Sequence, residues 1–459
     1  MKLKRVMLAA PKSGSGKTTI TCALLQALKN KGHKVVSYKC GPDYIDPMFH
    51  QKVIDIPSKN LDTFFTDEEG TREIFLKGRN GEEFAVLEGV MGVFDGLGGV
   101  REEGSSYHLA KVTQTPIILV VDAKGMGRSI IPLIAGYLAY DKEKLIQGVI
   151  LNRMSKFYYA TIKPLIEEEL HIKVVGCLPE YKQFGIESRY LGLTLPGELE
   201  DIKTRLQALA EEFVKTVSVQ DIIKIAENAD EIEAVFALDE YGIANSEGNS
   251  PIIAVARDEA FCFYYEDNIR MLSECGAGVV YFSPLHDTEL PAGCSGILIG
   301  GGYPELYAEK LSRNTDMLVA IKAAMQDDMP VVAECGGFMY LHLTLEDQNG
   351  ISYTMVGALP ERCHYTGRSV RFGYIEVEEQ ANNWLQGERI RGHEFHYFDS
   401  EDNGEDCLAI KPVTGKSYPC VMVGENYWLG FPHLYYPSNP GFAQSFVHKV
   451  KMYQERKGR

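Results

Sequence analysis

Short apolar runs rich in β-branched residues alternate along the first half of the chain with segments whose apolar positions recur at helical spacing. The runs Arg5–Ala9, Lys34–Tyr38, Phe84–Glu88, Pro116–Asp122, Gly148–Asn152 and Lys173–Leu178 lack polar alternation. That is the pattern of strands buried on both faces of a parallel sheet. Between the first two, Ile20, Leu24, Ala27 and Leu28 share one helical stripe within Thr18–Lys31, and Gly32 stands where a C-cap belongs. This strand–helix–strand unit, repeated, predicts an α/β domain with a doubly wound, mostly parallel sheet. Asp201–Asn228 reads as helical and charged, and the acidic Asp230–Ser250 leads into Asn245-Ser-Glu-Gly-Asn-Ser-Pro251, the best linker in the chain. A second series follows, with strands Ile252–Ala256, Gly278–Phe282, Gly296–Ile299 and Pro330–Glu334 and helices around Glu266–Cys275 and Glu305–Gln326. Ile351–Tyr436 is richer in aromatics and turns and predicts a mixed sheet. The pattern therefore divides the chain into two α/β domains, 1–245 and 246–459.

Composition narrows the function classes. The chain has 459 residues, 45% hydrophobic and 24% charged, which suits globular domains that need no staples. Lys and Arg number 47 against 63 Asp and Glu, a net charge of −16. That balance excludes a general nucleic-acid or anionic-membrane binder but leaves room for a local basic pocket. The apolar run Val6–Ala10 after the basic Met1–Arg5 is too short for a signal peptide, and no stretch approaches the roughly 18–20 apolar residues of a membrane span. The ten cysteines are scattered, with no CxxC pair, so neither a zinc ribbon nor a disulfide framework is predicted. A cytoplasmic protein with reduced thiols is the expectation.

Two constellations carry chemistry. After the first strand comes Pro11-Lys-Ser-Gly-Ser-Gly-Lys-Thr18, a Walker A loop in which Pro11 replaces the first glycine. With a strand before it and a helix after it, its backbone amides can cradle phosphates, Gly14 and Gly16 supplying the turns. Lys17 would reach the β- and γ-phosphates, Thr18 would ligate Mg²⁺, and Thr19 completes the loop. Lys12 stands where a deviant Walker subclass carries an extra lysine; a solvated lysine is the competing reading. Asp43 and Asp46, in Lys39-Cys-Gly-Pro-Asp-Tyr-Ile-Asp46, follow the second strand, and Glu88 ends another. Carboxyl ends of parallel strands are where α/β sheets bind ligands, so these acids are candidates for the metal and the reacting group. Asp95 reads as a turn former, and Asn152 as a candidate reader of the adenine edge.

The second constellation is Pro330-Val-Val-Ala-Glu-Cys-Gly-Gly337, a nucleophile elbow with cysteine in place of serine. The following helix is expected to lower the thiol pKa. Gly300-Gly-Gly-Tyr-Pro304 ends a neighbouring strand, and the amides of Gly301, Gly302 and Gly336 could form an oxyanion hole. Cys335 needs a base, for which His433, His393 and His396 are candidates.

Taken together with Glu88-Gly-Val-Met-Gly-Val-Phe-Asp-Gly96, Ala260-Phe-Cys-Phe-Tyr-Tyr265, Phe282-Ser-Pro-Leu285 and Gly392-His-Glu-Phe-His396, these motifs resemble the cobyrinic acid a,c-diamide synthase family over essentially the whole chain. More distant relatives are dethiobiotin synthetase for the first domain and class I glutamine amidotransferases for the second, which implies a flavodoxin-like fold there. The resemblance implies that Cys335 attacks the amide of glutamine with His433 shuttling the proton. It further implies that the first domain uses ATP and Mg²⁺ to phosphorylate a tetrapyrrole carboxylate, which ammonia then displaces. Lys17 and Thr18 would hold phosphate and metal, Asp43, Asp46 and Glu88 would surround the metal and the carboxylate, and Tyr44 would set which carboxylate enters. Lys39 and Arg189 are candidates for compensating a polycarboxylate substrate. Two departures stand out: Tyr435 occupies the position of the usual triad glutamate, predicting a Cys–His dyad or an acid from elsewhere, and Phe94 replaces a tyrosine. Sibling enzymes acting on hydrogenobyrinic acid or Ni-sirohydrochlorin share the motifs, and cobyric acid synthase shares the architecture. A ParA-like ATPase switch is the alternative from another class. A homodimer is the expectation by analogy with the dethiobiotin synthetase relatives.

Overall fold

The structure, a computed structural model, describes residues 3–79, 81–180, 196–232, 250–381 and 383–458. The chain divides into two compact units, Met1–Phe236 and Ala237–Arg459. The boundary expected at 245/246 lies outside the described residues, as does Arg189.

The first unit is built on strands β1 (Lys4–Ala9), β2 (Val35–Cys40), β3 (Ser58–Leu61), β4 (Phe84–Glu88), β5 (Ile117–Asp122), β6 (Ile146–Asn152) and β7 (Lys173–Leu178). Their order is β3-β2-β4-β1-β5-β6-β7, every pairing parallel. Helices α1 (Lys17–Asn30), α2 (Ile45–Phe49), α3 (Glu68–Lys77), α4 (Ser106–Val112), α5 (Ile130–Tyr140), α6 (Lys156–Leu170), α7 (Pro196–Thr216) and α8 (Val219–Glu227) connect or follow them. The stripe on α1 is buried as its spacing predicts, with Ile20, Leu24 and Leu28 packed against Val6, Val35 and Val86 in one core. Because β1 lies between β4 and β5, the loop after β1 is flanked by Glu88 on one side and Asp122 on the other. The charged segment expected as one helix over Asp201–Asn228 is two, since Val217 and Ser218 break the helical course.

The second unit carries a six-stranded sheet ordered β10-β8-β11-β13-β23-β22, parallel except at the β22 edge. Its strands are β8 (Ile252–Ala256), β10 (Gly278–Phe282), β11 (Gly296–Ile299), β13 (Val331–Glu334), β22 (Met422–Val423) and β23 (Tyr427–Gly430). A short ribbon pairs β9 (Phe261–Phe263) with β12 (Gly301–Gly302). The segment Ile351–Tyr436, expected as one mixed sheet, contributes to three: it supplies β22 and β23 here and strands of two further sheets. The first holds β14 (Thr344–Glu346), β15 (Ser352–Thr354), β16 (Arg362–Tyr365) and β19 (Phe398–Ser400). The second holds β17 (Arg371–Glu379), β18 (Ile390–His396), β20 (Cys407–Ile410), β21 (Ser417–Cys420) and β24 (His433–Leu434). Helices are α9 (Glu266–Glu274), α10 (Ala308–Arg313), α11 (Thr315–Gln326), α12 (Gly336–Leu341) and α13 (Pro440–Lys457). The helix expected over Glu305–Gln326 is broken at Asn314, whose ψ of 63° is non-helical. Its side-chain Nδ2 donates to the carbonyls of Pro284 and Asp287, both at 2.8 Å. Asparagine readily leaves helical geometry for such bonds.

Candidate active sites

In the first unit the phosphate-type loop closes onto α1 through Gly14 and Gly16, whose φ values of 75° and 91° suit glycine alone. Gly16 is also sterically required, since a Cβ there would lie 2.2 Å from Asn152 Nδ2. Lys17 Nζ donates to the Met91 carbonyl at 2.5 Å, and Thr18 Oγ1 donates to Glu88 Oε1 at 2.6 Å. Lys12 is exposed; its carbonyl accepts from Ser15 Oγ at 2.9 Å. Asp95 Oδ2 accepts from Gly92 N at 2.9 Å, the turn role expected of it.

Register explains why the acids converge. Lys39 on β2 and Leu8 on β1 both stand opposite Glu88 on β4, so one edge of the sheet presents the basic and acidic groups beside the loop. Lys39 Nζ donates to Glu88 Oε1 at 2.9 Å and to Asp46 Oδ2, and lies 3.9 Å from Asp43 Oδ2. Burial by itself would lower the Lys39 pKa, but Glu88, Asp46 and Asp43 hold it well above its ordinary value. Burial pushes Glu88 up to about 7 against the pull of Lys39. Burial would likewise raise Asp46, but Lys39 holds it below the ordinary carboxylate value. Asp43 is raised by burial and by Asp46. Burial, with Lys39 adding, brings Lys17 down to about 8. Asp43 has two roles, because its Oδ1 also accepts from the Ile45 amide at 2.8 Å and so starts α2. Tyr44, between the two aspartates, is buried.

The oxygen donors here fit a hard divalent cation. Glu88 is fully buried, and its Oε2 has no hydrogen-bond partner among the described residues. Thr18, Glu88 and Asp43 offer a hydroxyl and two carboxylates, while no three His, Cys, Asp or Glu among the described residues form a ready cage. That sparse set suits Mg²⁺, which binds through one or two carboxylates with phosphate and water completing its shell.

Sequence reasoning missed His50. It is fully buried, with Nδ1 2.9 Å from Ser37 Oγ and Nε2 3.7 Å from Glu88 Oε2, and burial lowers its pKa to about 4. No motif marks it, because it reaches the site from an irregular turn after α2. Also missed were Asp122 and Arg153, beside Asn152. The only signal for them was position, charged residues at the ends of adjacent strands.

In the second unit Cys335 links β13 to α12 with φ 48° and ψ −106°, a strained geometry for a residue with a Cβ. The two glycines after it are required by contact. A Cβ on Gly336 would meet Pro304 Cδ at 2.9 Å and Gly302 N at 3.0 Å, and one on Gly337 would meet the Ile299 carbonyl at 2.1 Å. The amides of Gly302 and Gly336 thus stand close together beside the cysteine. Register brings His433 to the same place: Glu334 pairs with Gly430, Cys335 N donates to the Gly430 carbonyl at 2.8 Å, and His433 follows three residues on. Gly301 makes room for that imidazole, since a Cβ on it would lie 2.4 Å from His433 Cε1.

The other two candidate bases are neighbours of this histidine. His393 stands opposite His433 in the sheet and stacks on it at 4.9 Å between centroids. Tyr265 Oη lies 3.2 Å from His393 Nδ1. His396 stacks on Phe431 at 4.0 Å. Tyr435, where a triad glutamate is usual, donates to the buried Asp267 carboxylate at 3.1 Å. The expectation of a lowered thiol pKa is overturned. Burial pushes the Cys335 thiol far up, with Glu305 and Glu394 adding to it. Burial also lowers His433, to about 3. Burial thus favours the neutral form of each group, thiol and imidazole.

Comparison with known proteins agrees with this division. Residues 6–189 match the CobQ/CobB/MinD/ParA nucleotide binding domain, and residues 252–423 match the CobB/CobQ-like glutamine amidotransferase domain. A cobyrinate a,c-diamide synthase of Caldanaerobacter subterraneus is 39% identical over 433 residues, covering 93% of this chain and 94% of that protein. One from Dehalococcoides mccartyi is 37% identical over 469 residues, covering 98% of this chain and 99% of that protein.

Proposed function

The chain belongs to the cobyrinate a,c-diamide synthase family, and from that membership we propose that it amidates the a and c carboxylates of cobyrinic acid with ATP and glutamine, in cobalamin synthesis. Membership makes it a glutamine-dependent carbon–nitrogen ligase. The observation that carries the finer reading is the full-length identity to relatives of that name, on a chain that keeps both a phosphate loop and a cysteine elbow.

In the second unit the Cys335 sulfur attacks the side-chain amide carbon of glutamine. His433 takes the thiol proton and returns it to the leaving nitrogen, so ammonia departs and a γ-glutamyl thioester remains. The amides of Gly302 and Gly336, with Gly301 nearby, stabilise the oxyanion. Water then releases glutamate and restores the thiol. Because the thiol rests protonated, proton transfer to His433 accompanies attack rather than preceding it.

In the first unit the loop amides and Lys17 hold the phosphates of ATP. A substrate carboxylate oxygen attacks the γ-phosphorus and ADP leaves. Ammonia then attacks the acyl carbon of the acyl phosphate and inorganic phosphate departs. ATP is needed because a free carboxylate is a poor electrophile with a poor leaving group. Thr18, Glu88 and Asp43 would hold Mg²⁺, which supplies charge neutralisation on the transferring phosphoryl group. Lys39 is buried among Glu88, Asp46 and Asp43, so its charge is spent on these carboxylates rather than on a polycarboxylate substrate, and Tyr44, between the two aspartates, would set which carboxylate enters.

The test is incubation of the full chain with ATP, Mg²⁺, glutamine and, separately, cobyrinic acid, hydrogenobyrinic acid and Ni-sirohydrochlorin, read by mass. Two carboxyl-to-carboxamide exchanges on cobyrinic acid are expected. Exchange confined to either of the others reassigns the substrate, and ATP hydrolysis with no exchange on any of them overturns the proposal in favour of an ATPase switch.

A further inference from the structure

On the side of the phosphate loop away from Glu88, the last residue of β6 and the one after it grip two consecutive loop carbonyls. Asn152 Nδ2 donates to the Ser15 carbonyl at 2.8 Å, and Arg153 Nη2 donates to the Gly14 carbonyl at 3.0 Å. Arg153 is itself held: its Nε donates to Asp122 Oδ1 at 2.8 Å, and its Nη2 pairs with Asp122 Oδ2. Asp122 stands opposite Asn152 in register, so the ends of β5 and β6 supply all three side chains.

Along a regular strand consecutive side chains point to opposite faces. Arg153 escapes that rule because its φ is 58°, the left-handed conformation unfavourable to a residue with a Cβ. The turn lets residues 152 and 153 reach the same loop. In a trans peptide the C=O and N–H point to opposite sides. Drawing the carbonyls of Gly14 and Ser15 toward Asn152 and Arg153 therefore turns the amides of Ser15 and Gly16 away from them, as a phosphate cradle needs. Glycines at 14 and 16 leave this loop without intrinsic stiffness, so its order must come from outside.

We propose that Arg153, held by Asp122, is a positioning residue for the phosphates: with Asn152 it presets the loop amides and touches neither base nor ribose. This rests on the reading of the first unit as an ATP site. It also assigns the Asn152 amide nitrogen to the loop, in place of the adenine edge expected from sequence.

Equilibrium binding to the full chain tests it, with Mg²⁺-bound ATP, GTP and inorganic tripolyphosphate as probes. A wild-type chain that binds none of the three overturns the ATP-site reading, and the inference with it. Where the wild type binds, Arg153→Ala is expected to weaken ATP and tripolyphosphate by the same factor, about tenfold for a lost charge-assisted hydrogen bond. The ATP-to-GTP ratio stays unchanged, and the KM for ATP rises while kcat at saturating ATP holds. Asp122→Asn acts in the same direction, and Arg153→Lys recovers part of the loss. Weakened ATP binding with tripolyphosphate spared puts Arg153 on the nucleoside and overturns the inference, as does unchanged binding. Should Arg153→Ala fail to fold, Arg153→Lys and Asp122→Asn carry the same comparison.

Discussion

Replacing Cys335 by alanine abolishes amidation from glutamine and leaves amidation from ammonium salts intact. The loss expected for removing the nucleophile of a covalent mechanism is on the order of 10⁴-fold or more. The structural case rests on the elbow. Cys335 holds a positive φ, and the glycines at 336 and 337 pack where a Cβ would strike Gly302, Pro304 or the Ile299 carbonyl. Cys335 is buried, but its change to alanine removes a single heavy atom, so the fold should stay in place. Steady-state rates with glutamine and with ammonium chloride, on the same preparation, make the comparison. Glutamine-supported amidation that survives the substitution removes Cys335 from the mechanism. His433→Ala should follow Cys335→Ala in both assays; if only His393 or His396 variants do so, the base has been misassigned.

Glu88→Gln should stop amidation from either nitrogen source while thioester formation at Cys335 continues. Glu88 is fully buried, accepts from Thr18 and Lys39, and carries a second oxygen that no described residue satisfies. Its charge offsets Lys39, and in the proposed reading its carboxylate would be a donor to a metal beside the loop. Loss of such a donor costs on the order of 10²-fold or more in activity. It also leaves Lys39 more weakly compensated, and breaking a buried ion pair costs about 3–5 kcal/mol. A melting curve therefore accompanies the assay. Continued trapping of glutamine at Cys335 shows that the second unit is intact. Retained amidation would take Glu88 out of the phosphoryl-transfer site.

The sheet of the first unit was legible because its strands are apolar on both faces, which only a doubly covered parallel sheet explains. Phe84–Glu88 and Lys173–Leu178 have the bounds expected from sequence. The strand Ser58–Leu61 was not legible, since Ser-Lys-Asn-Leu has no apolar run. Its polar groups are buried because tertiary partners satisfy them: Asn60 donates to the carbonyls of Gly41 and Asp43, and Gln51 donates to the Ser58 carbonyl. In the sites, residues inside a motif could be read, because phosphate cradles and elbows fix their spacing. Residues brought in by topology could not. His50 is 38 positions from Glu88 in sequence, and His393 meets His433 only through strand pairing. The thiol pKa was misjudged for a physical reason: the sequence shows a helix start after Cys335 but not the burial that outweighs it.

The most direct measurement of the central claim uses glutamine labelled with ¹⁵N at its side-chain amide. The full chain is incubated with this glutamine, ATP, Mg²⁺ and cobyrinic acid, with unlabelled ammonia kept out, and the macrocycle is read by mass alongside ADP and glutamate. Two labelled carboxamides per macrocycle are expected, with one ADP and one glutamate formed for each. Unlabelled product, or ADP and glutamate accumulating while the macrocycle keeps its carboxylates, would contradict that claim.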